Sequence, residues 1–221
     1  NRPSISPLMS ISIVAGSTGL VGSHILIQLC NNNHKVVALA RKPISGLPSK
    51  ATELIVDFDS FLTNGSLPKC DHIFICLGTT IRIAGSKDNF RRVDVDYPLG
   101  VAKKALESGA KKLTLISTVG ANSSSKNFYL GVKGELEDSI INLGYDSVNI
   151  FRPSFLIGNG GRNRAISEKI LMKLAKILDI FCIGSARKYR SIDAQILAKK
   201  MASTLNSEPG INYYYFDDFI K

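Results

Sequence analysis

Tyr129 and Lys133 stand four residues apart in the run Tyr129-Leu130-Gly131-Val132-Lys133. On a helix, that spacing puts both side chains on one face. Ser117 and Thr118 close an apolar run earlier in the chain, where a strand end can bring their hydroxyls to the same place. A phenol, an ammonium and a hydroxyl together can serve a carbonyl that receives a hydride from a nicotinamide. An unperturbed phenol has a pKa of about 10, and a neighbouring cation favours its ionised form. Tyr129 is therefore the candidate general acid. Lys133 supports it and can hold the nicotinamide ribose hydroxyls. Thr118, or Ser117 beside it, can hydrogen-bond the carbonyl and orient it.

A tyrosine–lysine spacing alone is weak evidence. Its weight comes from Gly16-Ser17-Thr18-Gly19-Leu20-Val21-Gly22, which lies between a predicted strand, Ser10 to Ala15, and a predicted helix, Leu20 to Cys30. Small residues there let the backbone turn tightly, approach a pyrophosphate and pack helix on strand. The helix N-terminus then offers N–H groups to the anion. An acid at the end of the second strand would accept hydrogen bonds from a ribose 2′-OH. This chain has Arg41-Lys42 instead. Two cations suit a 2′-phosphate, which arginine can grip bidentately. NADP(H) is favoured over NAD(H) on that ground. Asp57-Phe58 ends the third strand, where a carboxylate reaches the adenine. Leu77-Gly78-Thr79 ends the fourth and can lie along the ribose and phosphates. Arg152, at the end of the sixth, is grouped with these cofactor contacts.

The elements that must position these residues alternate. Strands are predicted at Lys35 to Ala40, Thr52 to Asp57, His72 to Leu77, Lys112 to Ser117 and Asp146 to Phe151. Helices are predicted at Asp96 to Ser108, Asn127 to Asn142, Ile166 to Leu178 and Asp193 to Leu205, with a last short strand at Asn212 to Phe216. Several strands are unbroken apolar runs, the mark of strands buried on both faces. The expected fold is α/β: a doubly wound parallel sheet of Rossmann type, helices on both faces, and a small C-terminal substrate region. Residues 1–221 read as one domain, with 152–190 supplying most of the substrate-side loops.

The chain of 221 residues carries a formal charge of +10 and is 44% hydrophobic. Its basic residues are spread as pairs, Lys103-Lys104, Lys111-Lys112 and Lys199-Lys200, expected to be solvated on or beside helices, and no basic run carries interleaved aromatics. Nucleic acid is therefore disfavoured as a partner. Cys30, Cys70, Cys76 and Cys182 show no metal-ligand spacing and read as reduced thiols. No apolar run reaches the roughly 18 residues of a membrane span, and Asn1 to Pro7 does not read as a signal peptide. These features together predict a cytoplasmic protein with no metal, as monomer or homodimer. The expected partner is a small carbonyl substrate. Arg162, Arg164, Arg187 and Lys188 leave an anionic substrate open, although solvated loop charges are the simpler reading.

Four segments, IVAGSTGLVG, CLGTTIRIAGSKDNFRRVDVDY, LISTVGANSSSKNFYLGVKGELE and FRPSFLIGNGGRNR, give the chain a resemblance over nearly its whole length. It resembles the short-chain dehydrogenase/reductase superfamily, and within it the atypical group that includes the HIV Tat-interacting protein. The resemblance implies a doubly wound sheet with NADP(H) at its C-terminal edge and a Ser/Thr-Tyr-Lys centre carried by Thr118 (or Ser117), Tyr129 and Lys133. Two positions depart from the wider pattern. Ala15 stands where many relatives have threonine, and Asp94 where longer sugar-nucleotide members have an asparagine that supports the active site. Those longer members also carry a large substrate lobe after the sixth strand, so a nucleotide-sugar substrate is not expected here. The function implied is an NADPH-dependent oxidoreductase of small carbonyl or alcohol compounds; the alternative is an NADPH-binding regulator with little turnover.

Overall fold

A computed structural model describes residues 10–158 and 179–221. Seven parallel strands form its main sheet: β1 (Ile11–Ala15), β2 (Lys35–Ala40), β3 (Ala51–Ile55), β4 (His72–Ile75), β5 (Lys112–Ile116), β6 (Ser147–Phe151) and the last, Gly210–Tyr214, called β9. Their order across the sheet is β3-β2-β1-β4-β5-β6-β9. The chain runs one way from β1 to β3, then returns to place β4 on the other side of β1. That reversal opens a crevice at the C-terminal ends of β1 and β4, the usual ligand position in such sheets. A separate two-residue ladder joins β7 (Leu156–Ile157) to β8 (Ile192–Asp193).

Strand alternation divides the core in two. Ile13, Ala15, Ile73, Ile75, Leu113 and Leu115 face one side, where they meet α2 (Phe58–Asn64), α5 (Tyr97–Glu107) and α6 (Phe128–Ile141). Val14, Phe74 and Phe151 face the other, against α1 (Gly22–Asn31) and α7 (Ala194–Ala202). The helices explain themselves locally. Ile25, Leu26 and Leu29 make the buried stripe of α1, and Val132, Leu136 and Ile140 that of α6. Asn127 caps α6 by accepting the Leu130 N–H.

Between β4 and α5 the chain is helical almost throughout. It forms α3 (Ile81–Ala84), capped by Thr80, and α4 (Lys87–Arg91), capped by Ser86. A π-helix over Arg92–Asp96 then leads directly into α5. The sequence predicted helix only from Asp96. The last strand sits at Gly210–Tyr214 rather than Asn212 to Phe216, because residues Phe216–Phe219 turn into a helix instead. The predicted helix Ile166 to Leu178 lies outside the described residues, as does most of the loop from Gly158 to Arg164.

The lysine pairs are not uniformly solvated as expected. Lys112 Nζ donates to the carbonyls of Leu205 and Ser207 at 2.8 and 2.9 Å. Lys104 Nζ donates to the Gly65 carbonyl at 2.7 Å. Both are part-buried ties between loops, in which the apolar stem packs and the ammonium closes a chain end.

Candidate active site

All seven strands run parallel, so the residues that follow each strand share one edge of the sheet. The structure therefore gathers Gly16 to Gly22, Arg41-Lys42, Asp57, Leu77 to Thr79, Ser117-Thr118 and Arg152 along that edge. Tyr129 and Lys133 come to it on the first turns of α6.

The glycine turn fits the close approach expected of it. Gly16 has φ +85°, and a Cβ there would lie 2.5 Å from the Cys76 carbonyl oxygen of the neighbouring strand end. A Cβ on Gly22 would lie 2.2 Å from the Gly16 carbonyl oxygen. The loop and the start of α1 are thus in backbone-to-backbone contact. Gly19 differs: a Cβ there would meet only the Gly16 oxygen, at 3.1 Å, and the residue is exposed. No side chain caps the first turn of α1, and no acidic residue lies in it. A helix N-terminus without a side-chain cap or an acidic residue favours an anion. Ser17 is buried and its hydroxyl donates to the Leu39 carbonyl at 3.3 Å, tying the turn to β2; Thr18 beside it is exposed. Leu20 and Val21 pack into the α1 core. These residues fit a dinucleotide pyrophosphate.

Arg41 and Lys42 are exposed at the end of β2, and neither has an ion-pair partner among the described residues. Asp57 caps α2: its carboxylate accepts the Ser60 N–H at 3.0 Å and the Ser60 hydroxyl at 3.1 Å. Those bonds, the backbone one first, hold its carboxyl below the usual carboxylate range. Phe58 is buried and stacks on Tyr97 with ring centroids 5.1 Å apart, so its ring serves the core.

At the end of β5 the two hydroxyls differ. Thr118 Oγ1 donates to the Pro153 carbonyl at 3.4 Å. Ser117 Oγ is buried with no partner. The Tyr129 ring is 40% exposed and lies 6.0 Å from the Phe90 ring. Lys133, one turn further, is only 6% exposed. Its Nζ meets Asp94 Oδ1 at 2.5 Å, and Asp94, on the π-helix, is 1% exposed. The contact is an ion pair rather than a well-directed hydrogen bond at Oδ1. Asp94 Oδ2 accepts the Thr79 N–H at 2.9 Å. Removing one member of such a pair leaves a buried charge alone, which costs about 3–5 kcal/mol.

Arg152 is engaged elsewhere than expected. Its Nε donates to Glu137 Oε1 at 3.0 Å and its Nη1 to the Tyr215 hydroxyl at 3.0 Å, with the guanidinium 4.5 Å from the Tyr213 ring centre. Glu137 is itself buried, one turn beyond Lys133. Each buried charge on the α6 face is therefore met by an opposite charge from another element. Lys133 and Glu137 stand four apart beside the buried Val132 and Leu136, a spacing that equally suits a solvated pair, so the sequence carried no signal of their burial. Among the described residues no cluster of His, Cys, Asp or Glu could hold a metal ion, and no helix is long and apolar enough to cross a membrane.

A doubly wound sheet with a glycine-lined switch point defines a Rossmann-type NAD(P)-binding protein. Residues 12–128 match the NAD dependent epimerase/dehydratase family, and the chain belongs to it. Protein FMP52, mitochondrial, of Debaryomyces hansenii is 31% identical over 206 residues, covering 90% of this chain and 88% of that protein. Protein HTATIP2 of Rattus norvegicus is 35% identical over 150 residues, covering 65% and 62%. The resemblance to the atypical short-chain dehydrogenase/reductases is thereby borne out. Among solved structures, UDP-glucose 4-epimerase of Thermotoga maritima with UDP-glucose aligns with a TM-score of 0.70 at 15% identity, over 93% of this chain and 76% of that one. Human epimerase family protein SDR39U1 with NADPH aligns with a TM-score of 0.65 at 16% identity, over 93% and 74%. Both carry the same fold.

One expectation is overturned. Relatives at 31–37% identity are named as mitochondrial proteins, so the cytoplasmic placement does not stand. Scattered reduced thiols and ordinary hydropathy suit any compartment that keeps thiols reduced, and they carry no address.

Proposed function

We propose that this protein is an NADPH-dependent reductase of a small carbonyl compound, acting in mitochondria. The observation that carries the reading is the buried, charge-paired Lys133 one helical turn from the exposed Tyr129, at the edge that also holds the glycine turn. NADPH supplies the hydride when bound. Gly16, Gly19 and Gly22 admit its pyrophosphate, and Thr18 lies at that opening. Leu20 and Val21 fix the start of α1. Arg41 and Lys42, without ion-pair partners among the described residues, suit the 2′-phosphate. Asp57 remains at the adenine end, and Leu77, Gly78 and Thr79 lie along the ribose.

Tyr129 donates its hydroxyl proton to the carbonyl oxygen as hydride reaches the carbon. Lys133 holds the ribose hydroxyls. Ser117 or Thr118 donates a hydrogen bond to the same carbonyl oxygen. Ser117 has the hydroxyl without a prior partner, whereas Thr118 must release Pro153 to do so. Arg152 acts at one remove, by holding Glu137 and so the α6 face. The fold alone does not dictate this chemistry.

Single-turnover oxidation of bound NADPH against aldehydes, ketones and quinones tests the reading. Tyr129→Phe should bind NADPH as wild type does and reduce the best carbonyl roughly 10²–10⁴-fold more slowly. Equal, slow oxidation by both proteins across the panel would favour an NADPH-binding regulator instead. Fractionation of cells producing the native protein tests the compartment; recovery only in the cytosol would remove that part.

A further inference from the structure

The two halves of the proposed centre stand on different elements. Ser117 and Thr118 follow β5, whereas Tyr129 stands on the first turn of α6. We propose that Arg152 and Glu137 are positioning residues whose ion pair sets the distance from the β5 hydroxyls to the Tyr129 phenol. The inference rests on the reading of Tyr129 as proton donor and of Ser117 or Thr118 as the hydroxyl that orients the carbonyl.

Arg152 sits in the middle of a backbone bracket around those hydroxyls. Before it, the Phe151 carbonyl accepts the Ser117 N–H at 2.8 Å. After it, the Pro153 carbonyl accepts the Val119 N–H at 3.0 Å and the Thr118 hydroxyl at 3.4 Å. The Arg152 N–H itself donates to the Tyr214 carbonyl at 2.9 Å, which fixes the same stretch to the last strand. Wherever the end of β6 stands, Ser117 and Thr118 stand with it. The Arg152 side chain reaches the other way, to α6. Its Nε donates to Glu137 Oε1 at 3.0 Å and its Nη2 to Oε2, while Nη1 donates to the Tyr215 hydroxyl at 3.0 Å. A two-pronged grip of this kind fixes an angle as well as a distance.

Tyr129, Lys133 and Glu137 follow at four-residue spacing and share one face of α6. Glu137 lies about 12 Å along the helix axis from Tyr129. Val132, Leu136 and Ile140 hold the helix through apolar contacts, which have no direction and control its roll weakly. A roll of about 10° moves an atom about 6 Å from the axis by about 1 Å. The ion pairs at Lys133 and Glu135 reach Asp94 and Arg91, ahead of α5, and not the strand ends. Glu137 ties α6 to the edge that carries the hydroxyls. It is 1% exposed. Such a buried pair adds little stability over apolar residues of similar size. What it adds here is register between the helix and the strand ends.

The experiment compares Arg152→Lys, the double variant Glu137→Leu/Arg152→Met and Tyr129→Phe with wild type. The readouts are NADPH dissociation constant, kcat and KM for the best carbonyl, and melting temperature without nucleotide. Lysine keeps the charge facing Glu137 but loses the fork. The double variant removes both charges and leaves neither alone, so it should melt within about 4 °C of wild type or higher. Arg152→Lys and the double variant should both bind NADPH within about threefold of wild type. Their kcat should fall about 10- to 100-fold, the cost of misplacing reacting groups by about 1 Å, with Arg152→Lys at the lower end. Carbonyl KM should stay within about threefold, the mark of an interaction made only in the transition state.

If kcat is unchanged in both, the pair serves packing alone and the proposal is overturned. A loss of NADPH affinity as large as the loss of kcat would overturn it too, since Arg152 would then act on the nucleotide. If the double variant melts far below wild type, Arg152→Lys decides, because it keeps a charge pair in the core. Tyr129→Phe separates this proposal from the reading beneath it. A slow Tyr129→Phe beside a fast Arg152→Lys and a fast double variant removes only the positioning role. A Tyr129→Phe protein that reduces the carbonyl as fast as wild type removes the centre itself, and the proposal with it.

Discussion

At the N-terminal edge of the sheet, His72 stacks on Phe74 with ring centroids 4.2 Å apart and meets Thr114 Oγ1 at 2.8 Å. Thr114 meets Thr204 at 2.7 Å, and Thr204 donates to the Met201 carbonyl at 2.6 Å. Since Thr204 uses its proton on Met201, Thr114 donates to Thr204 and His72 Nε2–H donates to Thr114. The whole chain of donors is neutral and ends on backbone. At the C-terminal edge the buried polar groups include an ion pair, Asp94–Lys133, and an unpartnered hydroxyl on Ser117. Both edges bury polar atoms at a cost. One relays protons through neutral hydroxyls to a backbone carbonyl and leaves His72 Nδ1 and the Ser12 hydroxyl without partners; the other holds a buried ion pair. The difference lies in charge: neutral hydrogen-bonded burial at one edge, a buried ion pair at the other.

The contrast is sharpest where the functional edge is also structural. Gly22→Ala would press a methyl against the Gly16 carbonyl at 2.2 Å, backbone on backbone. Chemical denaturation should show a loss of about 3 kcal/mol or more, beyond ordinary overpacking, with nucleotide binding gone. Gly19→Val should lose NADPH binding while keeping the wild-type denaturation midpoint to within about 1 kcal/mol. A Gly19→Val protein that binds NADPH normally would mean the pyrophosphate lies elsewhere.

Arg41→Ala tests the same edge more gently. Titration should show NADPH weakened by about 2–3 kcal/mol and NADH unchanged, the scale of lost charge-assisted bonds. Wild type with equal affinity for both nucleotides would remove the basis for choosing NADPH.

The N-terminal edge should respond to pH and not to nucleotide. Burial, and then the nearby Lys112, push the His72 pKa down to about 3. An unfolded histidine takes its proton near pH 6.5, whereas the native one does not until about 3. The native state therefore binds fewer protons across that window, and stability falls as pH drops from about 6.5, by about 1.4 kcal/mol per unit for this group. His72→Gln keeps an N–H donor for Thr114 and should flatten that part of the slope in urea titrations at pH 7 and 5. NADPH affinity of His72→Gln at pH 7 should equal that of wild type. A changed affinity would erase the division between the two edges.

Much of this was legible in the amino-acid order. The strands up to β6, together with α1, α5 and α6, followed from unbroken apolar runs and 3.6-residue stripes, and they fell within one or two residues of their observed ends. Once the strands are parallel, the residues after them must share an edge, so the glycine turn, Ser117-Thr118, Tyr129 and Lys133 could be brought together before any coordinates. The stretch from Ile81 to Arg92 resisted. It carries Arg82, Lys87, Asp88, Arg91 and Arg92 with little periodic apolar content, and it is held by the Thr80 and Ser86 caps and the buried Phe90. Asp94 was noticed as a departure from a pattern, but its partner was not, because Asp94 and Lys133 lie far apart in sequence and meet only through packing. Phe58 and Arg152 show the same limit: position at a strand end was readable, and which way the side chain turned was not.

A π-helical turn holds one residue more than an α-helical turn of the same length. The stretch Arg92–Asp96 can therefore be viewed as a helix carrying a single inserted residue. Removing one residue there would let α4 and α5 fuse into one regular, intrinsically steadier rod. It would also rotate everything on one side of the deletion by about 100° relative to the other, which would carry Asp94 away from Lys133 or Tyr97 out of the core. Length, not only residue type, is thus under constraint at this point, and a shortened homologue would reveal itself by a surplus of helix and a lysine without its carboxylate.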